Sequence, residues 1–180
     1  MKKYLGRFRN VRLYDLFAVI QFVTAIIPSI IWVFWCRMTN KQYWLICEDE
    51  NEARDNGFVF FEYMKKEHPE IKVYYAINKK SGDYNKIKKY EPYVIEYRTL
   101  RHWIYYLGAT VNISSQKGGK PNAAVCYILE VSGFLKTKRV FLQHGIMLNN
   151  ATFLHYENTK MRLFITGAYP EHKYILETFG

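Results

Sequence analysis

Cysteine pairs are missing from this chain. The 180 residues include three cysteines, Cys36, Cys47 and Cys126, with no CxxC spacing, so neither a disulfide framework nor a thiolate metal site is expected. Cys47 and Cys126 lie in apolar runs and read as small buried residues in a reducing compartment. There is no HExxH pair, and no metal or cofactor is expected. No GxGxxG follows the first apolar strand, which excludes the dinucleotide fingerprint. The loop Gly118 to Asn122 (GGKPN) resembles a phosphate loop, but Pro121 and Ser114 occupy positions that a Walker motif reserves for Ser/Thr and Gly. It reads as a flexible connection. Acidic residues are scarce, 16 against 26 basic ones, for a net charge of +10. Part of that excess is an N-terminal arm, Lys2, Lys3, Arg7, Arg9 and Arg12 against Asp15. Beside an apolar segment, such an arm suits anionic lipid headgroups better than a nucleic-acid groove. No helix-turn-helix, zinc-finger or RNA-binding signature is present, and no nucleic-acid partner is expected. Internal repeats are also absent. With 49% hydrophobic and 18% aromatic residues, the length supports one domain with a real core.

What is present first is one uncharged run, Leu16 to Cys36, of 21 residues. As a helix it would reach about 31 Å, the depth of a bilayer core. Tyr14, Trp32 and Trp35 stand near its ends, where aromatics favour the membrane interface. No small-x-small site follows it, so a cleaved signal peptide fits poorly. A simple span with the basic arm inside would place the rest of the chain outside the cell, against the free cysteines. Gln21, Thr24 and Pro28 form a narrow polar stripe, and a bent or in-plane helix on the cytoplasmic membrane face reconciles these features. A buried helix of a soluble core is the other reading. Residues 1–40 are taken as a leader and membrane-associating helix with membrane lipids as partners, and 41–180 as the folded domain.

From Lys41 onward, short apolar strands alternate with helices: Tyr43 to Cys47, Val73 to Ile77, Val94 to Tyr97, Thr110 to Ser115, Arg139 to Gln143 and Leu163 to Thr166 as strands. Helices are expected at Gly57 to His68, after Thr99, after Asn122 and at Pro170 to Phe179, with a partly helical Lys79 to Glu91. This is the pattern of βαβ units, an α/β Rossmann-like parallel sheet with flanking helices. Ligands bind such sheets at the carboxyl ends of strands. Glu48, Asn78, Ser114 with Ser115, Gln143 with His144, and Thr166 with Gly167 gather at that rim.

Two stretches could carry chemistry. EARDNG, Glu52 to Gly57, places Arg54, Asp55 and Asn56 before a helix N-terminus, where backbone amides attract anions and Arg54 could pair with a phosphate. A capping loop with a local Glu–Arg or Arg–Asp pair explains the same residues. In RVFLQHG, His144 ends a strand and Gly145 permits a sharp turn beside the imidazole. A histidine there can accept a proton from an attacking hydroxyl, or it can be a strand-end residue before a turn glycine. His68 and His102 read as exposed helix-end residues, and His155 and His172 show no recognisable partners in the sequence.

Taken together, WLICEDENEARDNGFVFFEYMKKEHPEIKVYYAINKKSGDY, HWIYYLGATVNISS, KRVFLQHGIMLNN and LFITGAYPEHKYILETFG resemble the CDP-glycerol glycerophosphotransferase family, the teichoic-acid and capsule polymerases and primases of bacteria. The resemblance runs from about Trp44 to Gly180. It implies a GT-B type fold of two Rossmann-like halves, of which this chain matches the N-terminal, acceptor-side one. It implies CDP-glycerol as donor, a polyol-phosphate polymer as acceptor, CMP as leaving product, and His144 as the base that activates the acceptor hydroxyl. Gly145, Arg54, Asp55, Asn56, Ser114 and Ser115 are the accompanying candidates for substrate contact. Relatives continue for about another domain, which holds most nucleotide contacts. The 180 residues alone are therefore expected to be inactive, with a separate donor-domain polypeptide as a candidate partner. A non-catalytic membrane-bound fragment, a subunit of a split enzyme, and a GT-B glycosyltransferase using a nucleotide sugar are the alternatives.

Overall fold

The computed structural model describes residues 13–39, 41–116, 119–145 and 151–179. The basic arm up to Arg12, the loop positions 117 and 118 and the stretch 146–150 after Gly145 lie outside the described residues.

Six parallel strands form the sheet: β1 Tyr43–Ile46, β2 Lys72–Ile77, β3 Val94–Glu96, β4 Val111–Ser114, β5 Lys138–Leu142 and β6 Leu163–Ile165. Their order is β3-β2-β1-β4-β5-β6, the doubly wound Rossmann arrangement. It switches direction between β1 and β4 and opens a crevice at their carboxyl ends. The connecting helices are α2 Asn56–Glu67, α3 Tyr84–Ile87 with a 3-10 turn Lys88–Tyr90, α4 Leu100–Gly108 and α5 Ala123–Val131. Between β5 and β6 lie a 3-10 turn, Thr152–Leu154, and the short α6, Tyr156–Thr159; α7, Tyr169–Thr178, follows β6.

Alternation along each strand divides the core. Tyr43, Leu45, Cys47, Ala76 and Ile95 face one layer with Trp103 and Tyr106 of α4 and Cys126 of α5. Ile46, Val73, Tyr75 and Ile77 face the other, against Phe58, Phe61 and Met64 of α2. A smaller cluster of Phe141, Leu154, Ile175 and Phe179 closes the β5–β6 edge. The three cysteines are buried and unpaired.

The apolar run forms helix α1, Leu13–Met38. It is long and apolar enough to cross a membrane, yet it lies against the domain along its length. Ala18, Ala25, Ser29 and Cys36 are buried, at spacings that keep them on one face of a helix. Phe22 packs on Trp103 and Trp32 on Tyr105, at 5.6 and 5.7 Å between ring centroids. Gln21, from the polar stripe, donates to the Arg98 carbonyl at 3.2 Å and accepts from Trp103 Nε1 at 3.4 Å. At the helix start Asn122 donates to Asp15 at 2.9 Å. The opposite face is exposed, with Phe17, Ile20, Val23, Ile27 and Ile31 in solvent contact. Less than a fifth of its most apolar stretch is buried.

His102 departs from its expected exposure and is fully buried. The chain enters α4 through Arg98 in the left-handed conformation (φ 59°). That turn brings the Arg98 amide to His102 Nδ1 at 3.2 Å, and the His102 ring lies 5.0 Å from Tyr97. Nothing in the side chain of Arg98 announces such a backbone, because non-glycine residues seldom adopt it.

Candidate active site

The crevice at the strand switch point is built outward from Glu48, just past β1. Its side chain is buried, and its carboxylate accepts from the amides of Arg54 (3.2 Å), Asp55 (3.2 Å) and Phe58 (2.6 Å). A carboxylate at these amides satisfies donors that a helix start leaves open. Burial raises the Glu48 pKa, partly offset by those same amides. Gly57 is required by this approach: a Cβ there would stand 3.0 Å from Glu48 Cγ and Oε1.

Asp55 is the N-cap of α2, accepting from the Asn56 amide at 2.8 Å through Oδ1. Its other oxygen, Oδ2, accepts from the buried Ser115 hydroxyl at 3.0 Å and lies 3.8 Å from His144 Nδ1. The His144 side chain is 54% exposed. Gly145 follows with φ 113° and open space around its Cα; only glycine enters this region freely.

Three contacts fix the turn that carries His144. Asn56 Nδ2 donates to the Gln143 carbonyl, the His144 amide donates to Gln143 Oε1 at 3.1 Å, and Gln143 Nε2 donates to Glu171 Oε1 at 2.8 Å. Glu171, in the first turn of α7, also accepts from the Gly167 amide at 2.8 Å. Four strand ends thus meet through one hydrogen-bonded chain.

The candidate residues therefore separate. Asp55, Asn56, Ser115, His144 and Gly145 come together at the crevice. Ser114 closes its own turn, donating to the Gln116 carbonyl at 2.6 Å. Arg54 is 63% exposed and pairs with Glu52 at 2.5 Å and Asp83 at 3.8 Å. Hydrogen bonds from Arg54 and Gln116 lower the Glu52 pKa. The sequence reading placed Glu48 and Gln143 on the rim without a task. It did not single out Glu171, whose only sequence signal is an acid in the first turn of a helix beginning just after the Thr166–Gly167 rim. His155, away from this crevice, lies with its ring 4.9 Å from Phe179.

The sequence profile of the family described as CDP-Glycerol:Poly(glycerophosphate) glycerophosphotransferase matches residues 30–169. The chain belongs to this family. The match takes in all six strands and every residue of the crevice except Glu171. Among curated proteins, the minor teichoic acid biosynthesis protein GgaB of Bacillus subtilis (strain 168) is 32% identical over 139 residues, 76% of this chain. The chain spans about 15% of the length of that relative. No solved structure matches the chain.

Proposed function

We propose that residues 41–180 form the acceptor-side domain of a GT-B type glycerophosphotransferase, with His144 as its general base. The observation that carries this reading is a half-exposed imidazole on a strand-end turn, with its Nδ1 facing the Asp55 carboxylate. A carboxylate at Nδ1 favours the tautomer with the proton on that nitrogen, leaving Nε2 free as acceptor. At 3.8 Å the pair is longer than a hydrogen bond, and such contacts tighten when substrate binds.

In this reaction Nε2 takes the proton from the terminal hydroxyl of a polyol-phosphate acceptor. The freed oxygen attacks the β-phosphorus of CDP-glycerol, the bond from that phosphorus to the bridging oxygen breaks, and CMP leaves with the electron pair. A new phosphodiester extends the polymer. General-base help of this kind is worth about 10²–10⁴-fold in rate. Asn56, Ser115 and Gly145 hold the base and leave room beside it, Ser114 fixes the turn after β4, and the exposed Arg54 stands at the rim for substrate contact. The family match and the teichoic-acid name of the B. subtilis relative support this substrate class.

The same reading places the domain on the cytoplasmic membrane face as a monotopic protein. A helix packed against a water-soluble domain from Asp15 to Cys36 cannot also be surrounded by lipid. Its exposed side, however, can lie in the interface plane with the domain above.

The test is an exchange: the matched segment of the B. subtilis relative is replaced by the corresponding residues of this chain. Release of CMP from CDP-glycerol, dependent on a glycerol-phosphate acceptor, is the expected result. A folded chimera that turns over a nucleotide sugar instead, or nothing, contradicts the assignment.

A further inference from the structure

Between α1 and the domain lies a groove of about 350 Å³, within the ~300–1,000 Å³ range of small-molecule sites. Ile26, Ile30 and Val33 of α1 form one wall, and Leu107 and Leu135 the other. Ser29 is on the floor, but its hydroxyl donates to the Ala25 carbonyl at 2.6 Å, so it has no donor left for a ligand. Arg37, in the last turn of α1, and Lys136 line the same groove. Both are exposed, and neither has an ion pair among the described residues. Ile30 and Phe34, which line the groove, are also 64% and 66% exposed and continue the outer apolar face of α1. An opening that joins an exposed apolar surface, apolar within and doubly cationic at its edge, suits an anion with a long apolar tail. We propose that the groove takes an acyl chain of an anionic phospholipid whose phosphate sits between Arg37 and Lys136.

This inference rests on the membrane-association reading and adds a defined site to it. Long cationic side chains reach headgroup level while their stems cover apolar surface. The outer face of α1 would bind any bilayer through buried area. The groove instead discriminates by headgroup charge.

The experiment uses the full chain and vesicles of phosphatidylglycerol and phosphatidylcholine that carry a phosphatidylglycerol with a photoactivatable acyl chain. After flotation and irradiation, adducts are mapped by mass spectrometry. Adducts are expected on Ile26, Val33, Leu107 and Leu135. They should fall about fivefold for each charge removed in Arg37→Gln and Lys136→Gln, from ~1 kcal/mol per basic residue near the surface, and fall likewise in the groove-filling Ile26→Trp. Flotation itself should persist in these variants. Adducts confined to Phe17, Ile20, Ile27 and Ile31 overturn the groove and leave membrane attachment standing. Equal groove labelling by a photoactivatable phosphatidylcholine overturns it as well, as does a second copy of the chain cross-linked there. Failure of the wild-type chain to float overturns the membrane reading and the groove together.

Discussion

Asp55 Oδ2 faces His144 Nδ1 at 3.8 Å, joining a helix start and a strand end that are far apart in the sequence. Ser115, just past the strand β4 between them, holds the same oxygen. Asp55 is therefore a positioning residue for the proposed base. In the active chimera, Asp55→Asn should lower kcat by about 10²-fold, the low end of general-base effects, with KM little changed. A purely structural cap would reduce stability, by ~1 kcal/mol, and leave kcat of the folded protein unchanged.

His102 gives a pH dependence of stability that is separate from catalysis. Burial, with a smaller contribution from the Arg98 charge, lowers its pKa from 6.5 to about 3. The unfolded chain therefore takes up this proton at higher pH than the folded chain. Stability from this residue is full above about 6.5 and declines as pH falls toward 3. At ~1.4 kcal/mol per unit, the loss by pH 4 is of order 3 kcal/mol. Thermal unfolding from pH 7 to pH 4 should show this slope, and His102→Gln should flatten it. An unchanged slope in the variant would assign the acid sensitivity elsewhere.

Glu130 is a buried carboxylate holding Lys120 at 2.6 Å and Arg139 at 2.8 Å, and it accepts from the Tyr106 hydroxyl. Glu130→Gln would leave two largely buried cations facing a neutral amide. Breaking a buried pair costs roughly 3–5 kcal/mol, which calorimetry should register. A loss below ~1 kcal/mol would mean that water already screens the cluster.

Gly57→Ala tests the closeness of Glu48 to α2. The added methyl would press on Glu48 Cγ and Oε1 at 3.0 Å, and overpacking of this kind costs about 1–3 kcal/mol. Denaturant unfolding is the measurement. A stabilised Gly57→Ala chain would show that Glu48 moves aside freely.

Much of the fold was legible because its signals are local. Short apolar runs alternating with helical stretches marked the strands, and Asp55, Thr99 and Asn122 cap their helices with side-chain oxygens. Strand order was not legible, since pairing β1 with β4 depends on partners 67 residues apart. The packing of α1 was hidden for a related reason. Ala18, Ala25, Ser29 and Cys36 read as ordinary members of an apolar run until Trp103, Tyr105 and Gly108 supply the surface they fit. At the crevice, the His144–Gly145 step could be read from residue type. The Gln143–Glu171 bond could not, because it depends on where α7 begins relative to β5.

The rate of CMP release by the chimera with His144→Gln tests the central claim most directly. Glutamine keeps a hydrogen-bonding side chain of similar size but cannot carry the proton away. The account predicts a fall of at least about 10²-fold, with unfolding temperature and CDP-glycerol binding nearly unchanged. Near-normal turnover in His144→Gln would contradict it and leave His144 a strand-end residue before a turn glycine.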